Sequence, residues 1–465
     1  MSNGQALAMA PSSPWLRPLQ RALERAAVVG VLAHALFLPI SIAGMQIGLG
    51  LAAAALVALR VTGRRVWARS ALDLPLLILI CAAVASLALG TLAGSPPVGW
   101  HEATLWRSLL APFVVLSALE VVRDGPGLDP PVDARGSARP DRLALLALGV
   151  WAAASLVPSA LAWAQYWSGF DPLFALGLRH KAVHAVVPVF PGRFAAVGFF
   201  KWYQRLAHNL LPPACVAAAL AVRGGMGSRL RLLFGAASLA AAAAIVLTLS
   251  RMAWASLILA AILLTLLAAR ARVRRWAALL VLAGTLSMAL HPGVRVRIAN
   301  LGRPGINHDR EDIWKICWAA VEQRPLTGVG WGNLPKRTAA YYDRVPYPLP
   351  RAWCHDTFFT AWAEGGPLLF AAVVAFWALL VRASWRWRRQ ASGDLAAAAA
   401  AGALAALLAM LANSLAHDIL YSSEAVYGLG FALAVAAALS RSDRAAAPSP
   451  AGAPGHASRG PRASA

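Results

Sequence analysis

This sequence predicts an all-α polytopic membrane protein, and two observations carry that prediction. Of its 465 residues, 59% are hydrophobic, above the about 45–50% of an ordinary soluble chain, and mean hydropathy is +0.59. The apolar residues are also gathered into recurrent runs of roughly twenty, the length that carries a helix across a bilayer core.

In chain order the runs cover 26–40, 43–59, 72–93, 105–122, 143–163, 206–222, 230–249, 252–269, 276–290, 357–381, 395–415 and 425–439. They predict about twelve transmembrane helices, with a large, partly helical loop between the ninth and tenth. Pro39 and Gly44 divide the first long apolar stretch into a pair of helices. The remaining helices are separated by charged or turn-rich connections, and the charges are informative. Arg17, Arg21 and Arg25 precede the first run; Arg60, Arg64, Arg65 and Arg69 follow the second; Arg123, Arg135, Arg139 and Arg142 separate the fourth from the fifth. Further groups are Arg223, Arg229 and Arg231; Arg270, Arg272, Arg274 and Arg275; Arg382, Arg386, Arg388 and Arg389; and Arg441 with Arg444.

Most of these groups fall in alternate connections, the positive-inside pattern with both termini cytoplasmic. Much of the formal charge of +23 is therefore topological, and no nucleic acid partner is expected. Five regions follow: a cytoplasmic segment at 1–25, helices one to nine at 26–290, an outer loop at 291–355, helices ten to twelve at 356–440, and a disordered cytoplasmic tail at 441–465. Residues 125–140, rich in Pro, Gly and Asp, also read as disordered. The first apolar run starts late, has no A-x-A-type site and leads into a second span, so no cleaved signal peptide is expected. Of four cysteines, Cys317 and Cys354 share the outer loop. An oxidising compartment permits their pairing, but sequence does not fix their separation.

The outer loop breaks the charge rule, carrying Arg295, Arg297, Arg303, Arg310, Lys315, Arg324, Lys336, Arg337, Arg344 and Arg351. So much positive charge on that side points to an anionic ligand. A helix is predicted over 309–323, with Asp309 as N-cap and Asp312 in a capping-box-like position. Ile313, Trp314, Ile316, Cys317, Trp318, Ala320 and Val321 share its apolar arc. Arg310 projects from that arc. It either snorkels or pairs with a carboxylate, or it receives a phosphate at the positive end of the helix.

Past Pro325 lies the turn Gly328-Val329-Gly330-Trp331-Gly332-Asn333. It reads as a tight packing turn or as a phosphate cradle without a Walker Lys. His355 stands at the start of the next apolar run, where an imidazole can accept a proton. Glu364 lies deeper in the same run, as a functional carboxylate or as part of a kink with Gly365, Gly366 and Pro367. His417 and Asp418 close the following outer turn and are candidates for the same cavity. Arg251 and Arg193 place cations at the outer ends of other spans. No metal-ligand spacing occurs, so neither metal nor cofactor is expected.

In this order, Ser250-Arg251 with Trp254, Arg310 with Trp314, Pro325 to Gly332, and His355-Asp356-Thr357-Phe358-Phe359 followed by Glu364-Gly365 resemble the O-antigen ligase and polymerase superfamily. The resemblance covers roughly 193–439. It implies metal-independent transfer of a glycan from undecaprenyl diphosphate at the periplasmic face of the bacterial inner membrane. A ligase moves the glycan to lipid A–core; a polymerase adds it to another glycan chain.

By the same resemblance Arg251, Arg310 and Arg193 hold the donor diphosphate and His355 stands beside the acceptor. Glu364, Asp418, His417 and Trp314 would support them. One departure is Phe199-Phe200-Lys201-Trp202-Tyr203, in place of an Asn-containing stretch after Arg193. A single dominant C-terminal outer loop favours ligase over polymerase, with a protein O-oligosaccharyltransferase as a third member of the class. A membrane transporter would instead gather ionisable groups at the midplane.

Overall fold

The computed structural model describes residues 16–94, 106–123, 142–178, 194–223, 225–268, 271–299, 308–345 and 353–446. Among the described residues the regular structure is helical, without strands. In chain order the helices are α1 (Leu16–Phe37), α2 (Ile42–Val61), α3 (Asp73–Leu92), α4 (Trp106–Arg123), α5 (Arg142–Ser168) and the short α6 (Pro172–Ala175). They continue with α7 (Tyr203–Arg223), α8 (Ser228–Leu247), α9 (Arg251–Leu267), α10 (Ala271–Leu290) and α11 (Pro292–Ala299). The loop holds α12 (His308–Gln323), α13 (Leu334–Arg337) and α14 (Ala339–Tyr342), and the chain ends in α15 (Thr357–Gln390), α16 (Asp394–Ser414) and α17 (Ser423–Ala446).

Each of the twelve apolar runs forms a helix. Eight of these, α2, α3, α5, α7, α8, α15, α16 and α17, are long and apolar enough to cross a bilayer, which makes this a multi-pass membrane protein. Three of the other four fall short for local reasons. Helix α1 includes Arg17, Arg21, Glu24 and Arg25, and α4 carries Arg107, Glu120 and Arg123. Helix α9 is apolar but has 17 residues. The expected loop helix is present, beginning one residue early at His308. Helix α17 runs on to Ala446, into the stretch expected to start a disordered tail; most of that tail, and the expected disorder at 125–140, lie outside the described residues.

Helices α16 and α17 are the centre of the bundle, with 78% and 94% of their apolar windows buried. Around α16 stand α7, α9, α15 and α17; α3 lies on α15, and α4 lies on α17. The sequence of α16, rich in Ala with Gly402 midway, explains its place. Lipid chains are as apolar as Leu, so helices associate in a membrane by close backbone approach across small residues. A Cβ at Gly402 would come within 2.6 Å of the Val216 Cα on α7. At the periphery, α10 leans on α9 and α11 and leaves Trp276, Leu279, Leu280 and Leu286 exposed, a surface suited to lipid.

Overpacking at the α7–α16 contact follows directly. Gly402→Val is expected to destabilise by about 1–3 kcal/mol, read as a lowered melting temperature in detergent micelles. Gly50→Ala, where nothing lies within 4 Å of the added methyl, should leave the melting temperature unchanged or raise it.

Candidate active site

Helix α12 sits against the loop end of α15 because its apolar arc has one side to bury. Ile313, Ile316, Cys317, Ala320 and Val321 pack with Val329, Leu334, Tyr342, Cys354 and Ala363. Trp314 and Trp318, expected on the same arc, lie at its margin and remain 43% and 49% exposed. Cys317 and Cys354 form a disulfide with Cα atoms 5.9 Å apart, which settles the pairing that sequence leaves open. The two are 37 residues apart in sequence, and closing a loop of that length stabilises by roughly 3–4 kcal/mol. Its placement matters more than its energy, since it staples α12 to the residue before His355. The Trp314 Nε1–H adds a second tie, donating to the Cys354 carbonyl at 2.9 Å.

His355 occupies left-handed backbone, with φ 55°, a strained region for a side chain with a Cβ. Two neighbours hold it there. Asp356 caps α15, accepting from the Phe358 and Phe359 N–H groups at 2.8 and 2.9 Å. The His355 N–H donates to Asp418 Oδ2 at 2.9 Å, and the His355 Nδ1 stands 3.5 Å from the same oxygen. The other Asp418 oxygen accepts from the Thr360 hydroxyl at 2.5 Å. Thr357 completes the join: its hydroxyl donates to the His417 carbonyl at 2.8 Å and accepts from Ile419 N–H at 2.9 Å. The connection after α16 is thereby fastened to the first turn of α15. The His355 side chain stays 39% exposed.

Arg310 reaches the same connection, its Nη2 donating to the Ala416 carbonyl at 2.9 Å. Burial, and next the positive charge of Arg251, press its guanidinium below the ordinary range, with Tyr203, Asp418 and Asp356 acting against them. Arg251 is the first residue of α9, after the N-cap Ser250. Two like charges beside the positive end of a helix favour an anion between them. Asp356, its carboxyl pushed up by burial against the pull of its two backbone N–H bonds, offsets them only in part.

His417 is buried beside them, its ring 5.1 Å from that of His208. Burial first, then the charges of His208, Arg310 and His355, hold its pKa well below the usual value. The imidazole therefore stays neutral and adds no further cation. Behind it His208 Nε2 meets Asn413 Oδ1 at 3.2 Å, and Asn413 Nδ2 donates to Ser256 at 3.2 Å.

Glu364 lies elsewhere. Helix α15 breaks at Gly366, with φ 62° and ψ −159°, immediately before Pro367. The Gly turn fills the break: Val329 N–H donates to the Ala363 carbonyl at 3.0 Å and Gly330 N–H to the Glu364 carbonyl at 2.8 Å. In return Glu364 Oε1 accepts from Leu334 N–H at 3.3 Å. A Cβ at Gly328 would sit 2.3 Å from the Glu364 carbonyl carbon. The turn's N–H groups are taken up by the protein itself: Val329 and Gly330 donate to carbonyls of α15, and Gly332, with Leu334 beyond it, to the Glu364 carboxylate. Glu364 also faces Tyr421, whose hydroxyl is pushed well up by burial and then by the charge of Glu364.

The structure thus brings Arg251, Arg310, Trp314, His355, His417 and Asp418 together and leaves Glu364 in the supporting joint. Arg193 lies outside the described residues. Other described loop cations lie apart from this group: Arg337 bonds the Gly94 carbonyl, and Arg344 lies 5.6 Å from the Tyr341 ring. Their number is therefore a poor guide to the anion site. Sequence reading missed Thr357 and Thr360, although both fall in or beside the His-Asp-Thr motif. It also missed the ion pair of Arg205 with the buried Glu424 at 2.7 Å. Among the described residues no three His, Cys, Asp or Glu side chains gather as ligands for a metal ion.

Residues 236–374 match the family described as O-antigen ligase. The match supports O-antigen ligase-type glycan transfer and bears out the resemblance read from the motifs over that segment. It takes in Arg251, Arg310, Trp314, His355 and Glu364 and stops short of His417 and Asp418. No curated protein matches the chain.

Because Asp418 accepts from both the His355 N–H and the Thr360 hydroxyl, Asp418→Ala should cost about 1–3 kcal/mol for each donor left unpaired. A melting curve and a transfer assay on the same preparation check this, with activity expected to fall further than stability alone explains. Asp418→Asn, which retains one carbonyl oxygen, should be intermediate in stability.

Proposed function

We propose that this chain, on the strength of its match to the O-antigen ligase family over residues 236–374, transfers a glycan from undecaprenyl diphosphate to lipid A–core. The reaction takes place at the periplasmic face of the bacterial inner membrane, with both termini cytoplasmic. The observation that carries this reading is the meeting of Arg251 and Arg310 with a half-exposed His355 oriented by Asp418.

Chemically the parts are complementary. The acceptor hydroxyl oxygen bonds to the anomeric carbon of the donor while the bond from that carbon to the diphosphate oxygen breaks. Negative charge develops on the departing diphosphate, where fixed guanidinium groups stabilise it without a metal. The acceptor proton passes to His355. Asp418 beside Nδ1 favours the Nδ1–H tautomer, leaving Nε2 as the base. Arg193 is assigned to the same diphosphate by the family resemblance.

A deletion strain gives the first test, through its envelope glycolipids. Loss of all long-chain glycan from lipid A–core, with lipid-linked polymer accumulating, supports the ligase. A single repeat unit on core would make the chain a polymerase, and an unchanged profile with unglycosylated protein would make it a protein O-oligosaccharyltransferase.

Two side chains test the mechanism in purified protein. Arg310→Lys keeps the charge and loses the planar fork, so transfer should fall strongly, whereas Arg344→Ala should be tolerated. His355→Gln retains hydrogen bonding but takes no proton, and activity should drop by about 10²–10⁴-fold. Near-normal turnover in His355→Gln would remove the base, and full activity of Arg310→Ala would remove the diphosphate site. Chelator should have no effect on the rate.

A further inference from the structure

Arg310, Trp314 and Trp318 follow one another at intervals of four, which stacks them along one face of α12. Each is pinned to a different point. Arg310 holds the Ala416 carbonyl, Trp314 holds the Cys354 carbonyl, and the Trp318 ring lies 6.4 Å from Phe359 and 6.5 Å from Trp362. The stripe therefore runs from the cationic site, past the residue before His355, to an aromatic group on α15.

Both indole donors on this face are engaged: Trp318 gives its N–H to Glu322 Oε1 at 2.8 Å and Trp314 gives its own to the Cys354 carbonyl at 2.9 Å. They differ in what the bond fixes. The Trp318 bond stays within α12, whereas the Trp314 bond ties its ring to the residue before His355. What remains is a rigid ring face, 43% exposed, fixed by a hydrogen bond one residue before His355 and one turn from Arg310. A flat apolar surface of that kind matches the C–H face of a pyranose, whose hydroxyls point outward around the rim.

We propose that Trp314 is the platform on which the acceptor sugar stacks, presenting its hydroxyl to His355. This inference rests on the transfer reaction proposed above and adds to it the acceptor subsite: a hexopyranose with one face free of axial hydroxyls. Stacking fixes the plane of the ring, and the anchored indole fixes the distance of that plane from the imidazole. Trp314 is thus a specificity-determining residue that acts on the acceptor and leaves the donor to the arginines.

The test compares acceptor and donor KM in the full-length protein in lipid nanodiscs, with lipid A–core as acceptor and an undecaprenyl diphosphate-linked glycan as donor. Trp314→Phe and Trp314→Tyr keep a ring and lose the bond to Cys354; Trp314→Leu and Trp314→Met keep apolar bulk and lose the ring. Two variants of each kind preserve the comparison if one fails to fold. The Leu and Met variants should raise the acceptor KM about tenfold, with the donor KM within about twofold, while the aromatic variants hold the acceptor KM within about threefold. Unchanged acceptor KM in the Leu variant, or donor and acceptor KM shifting together as a membrane anchor would shift them, overturns the inference and leaves the transfer reaction standing. A wild-type protein that transfers no glycan to any hydroxyl acceptor overturns both.

Discussion

The carboxylate of Asp418 is the interaction on which the candidate site depends. It accepts from the His355 backbone and from Thr360, and it stands beside the His355 ring. A short connection between two buried helices is thereby fixed to the start of a third. Without that acceptor the His355 N–H would lack its partner, and of the two neighbours only the Asp356 cap would be left to hold the left-handed backbone. The disulfide and the Trp314 bond then fasten α12 to the residue before it, so Arg310 arrives from one side and Asp418 from the other.

Charge placement follows from burial more than from number. The loop before α15 is rich in cations, yet what marks Arg310 is that its charge meets that of Arg251, while burial strips its solvation and sharpens that repulsion. An anionic diphosphate would relieve both at once. His417, held neutral by burial and by the neighbouring charges, occupies space near Arg310 without adding to the repulsion.

Much of this architecture is legible in sequence because the signals are local. Twelve apolar runs yield twelve helices, since length and hydropathy are properties of single segments. His355, Arg251 and Arg310 also stand out, as polar groups at the ends of apolar stretches. The long-range joints are different. Asp418 meets His355 across 63 residues and Arg310 meets Ala416 across 106, separations that no periodicity spans. The same holds for Cys317 with Cys354, where sequence allows pairing but cannot place two loop residues side by side. For Glu364 sequence leaves a functional carboxylate and a kink side by side, and the fold places it at the helix break, where it receives the Leu334 N–H. The Gly turn that seals this break has the composition of an anion cradle, and in the fold its N–H groups are taken up by α15 carbonyls and by the Glu364 carboxylate.

The central claim is that the Arg251–Arg310 pair holds a diphosphate within reach of His355. A cryo-electron microscopy structure of the protein in a nanodisc with undecaprenyl diphosphate tests it most directly. The account predicts phosphate oxygens at hydrogen-bond distance, about 2.7–3.2 Å, from both guanidinium groups, with the ester end facing the His355 ring. Diphosphate seated on the surface cations Lys336 and Arg337, or on the Gly328 turn, with nothing between Arg251 and Arg310, would contradict it.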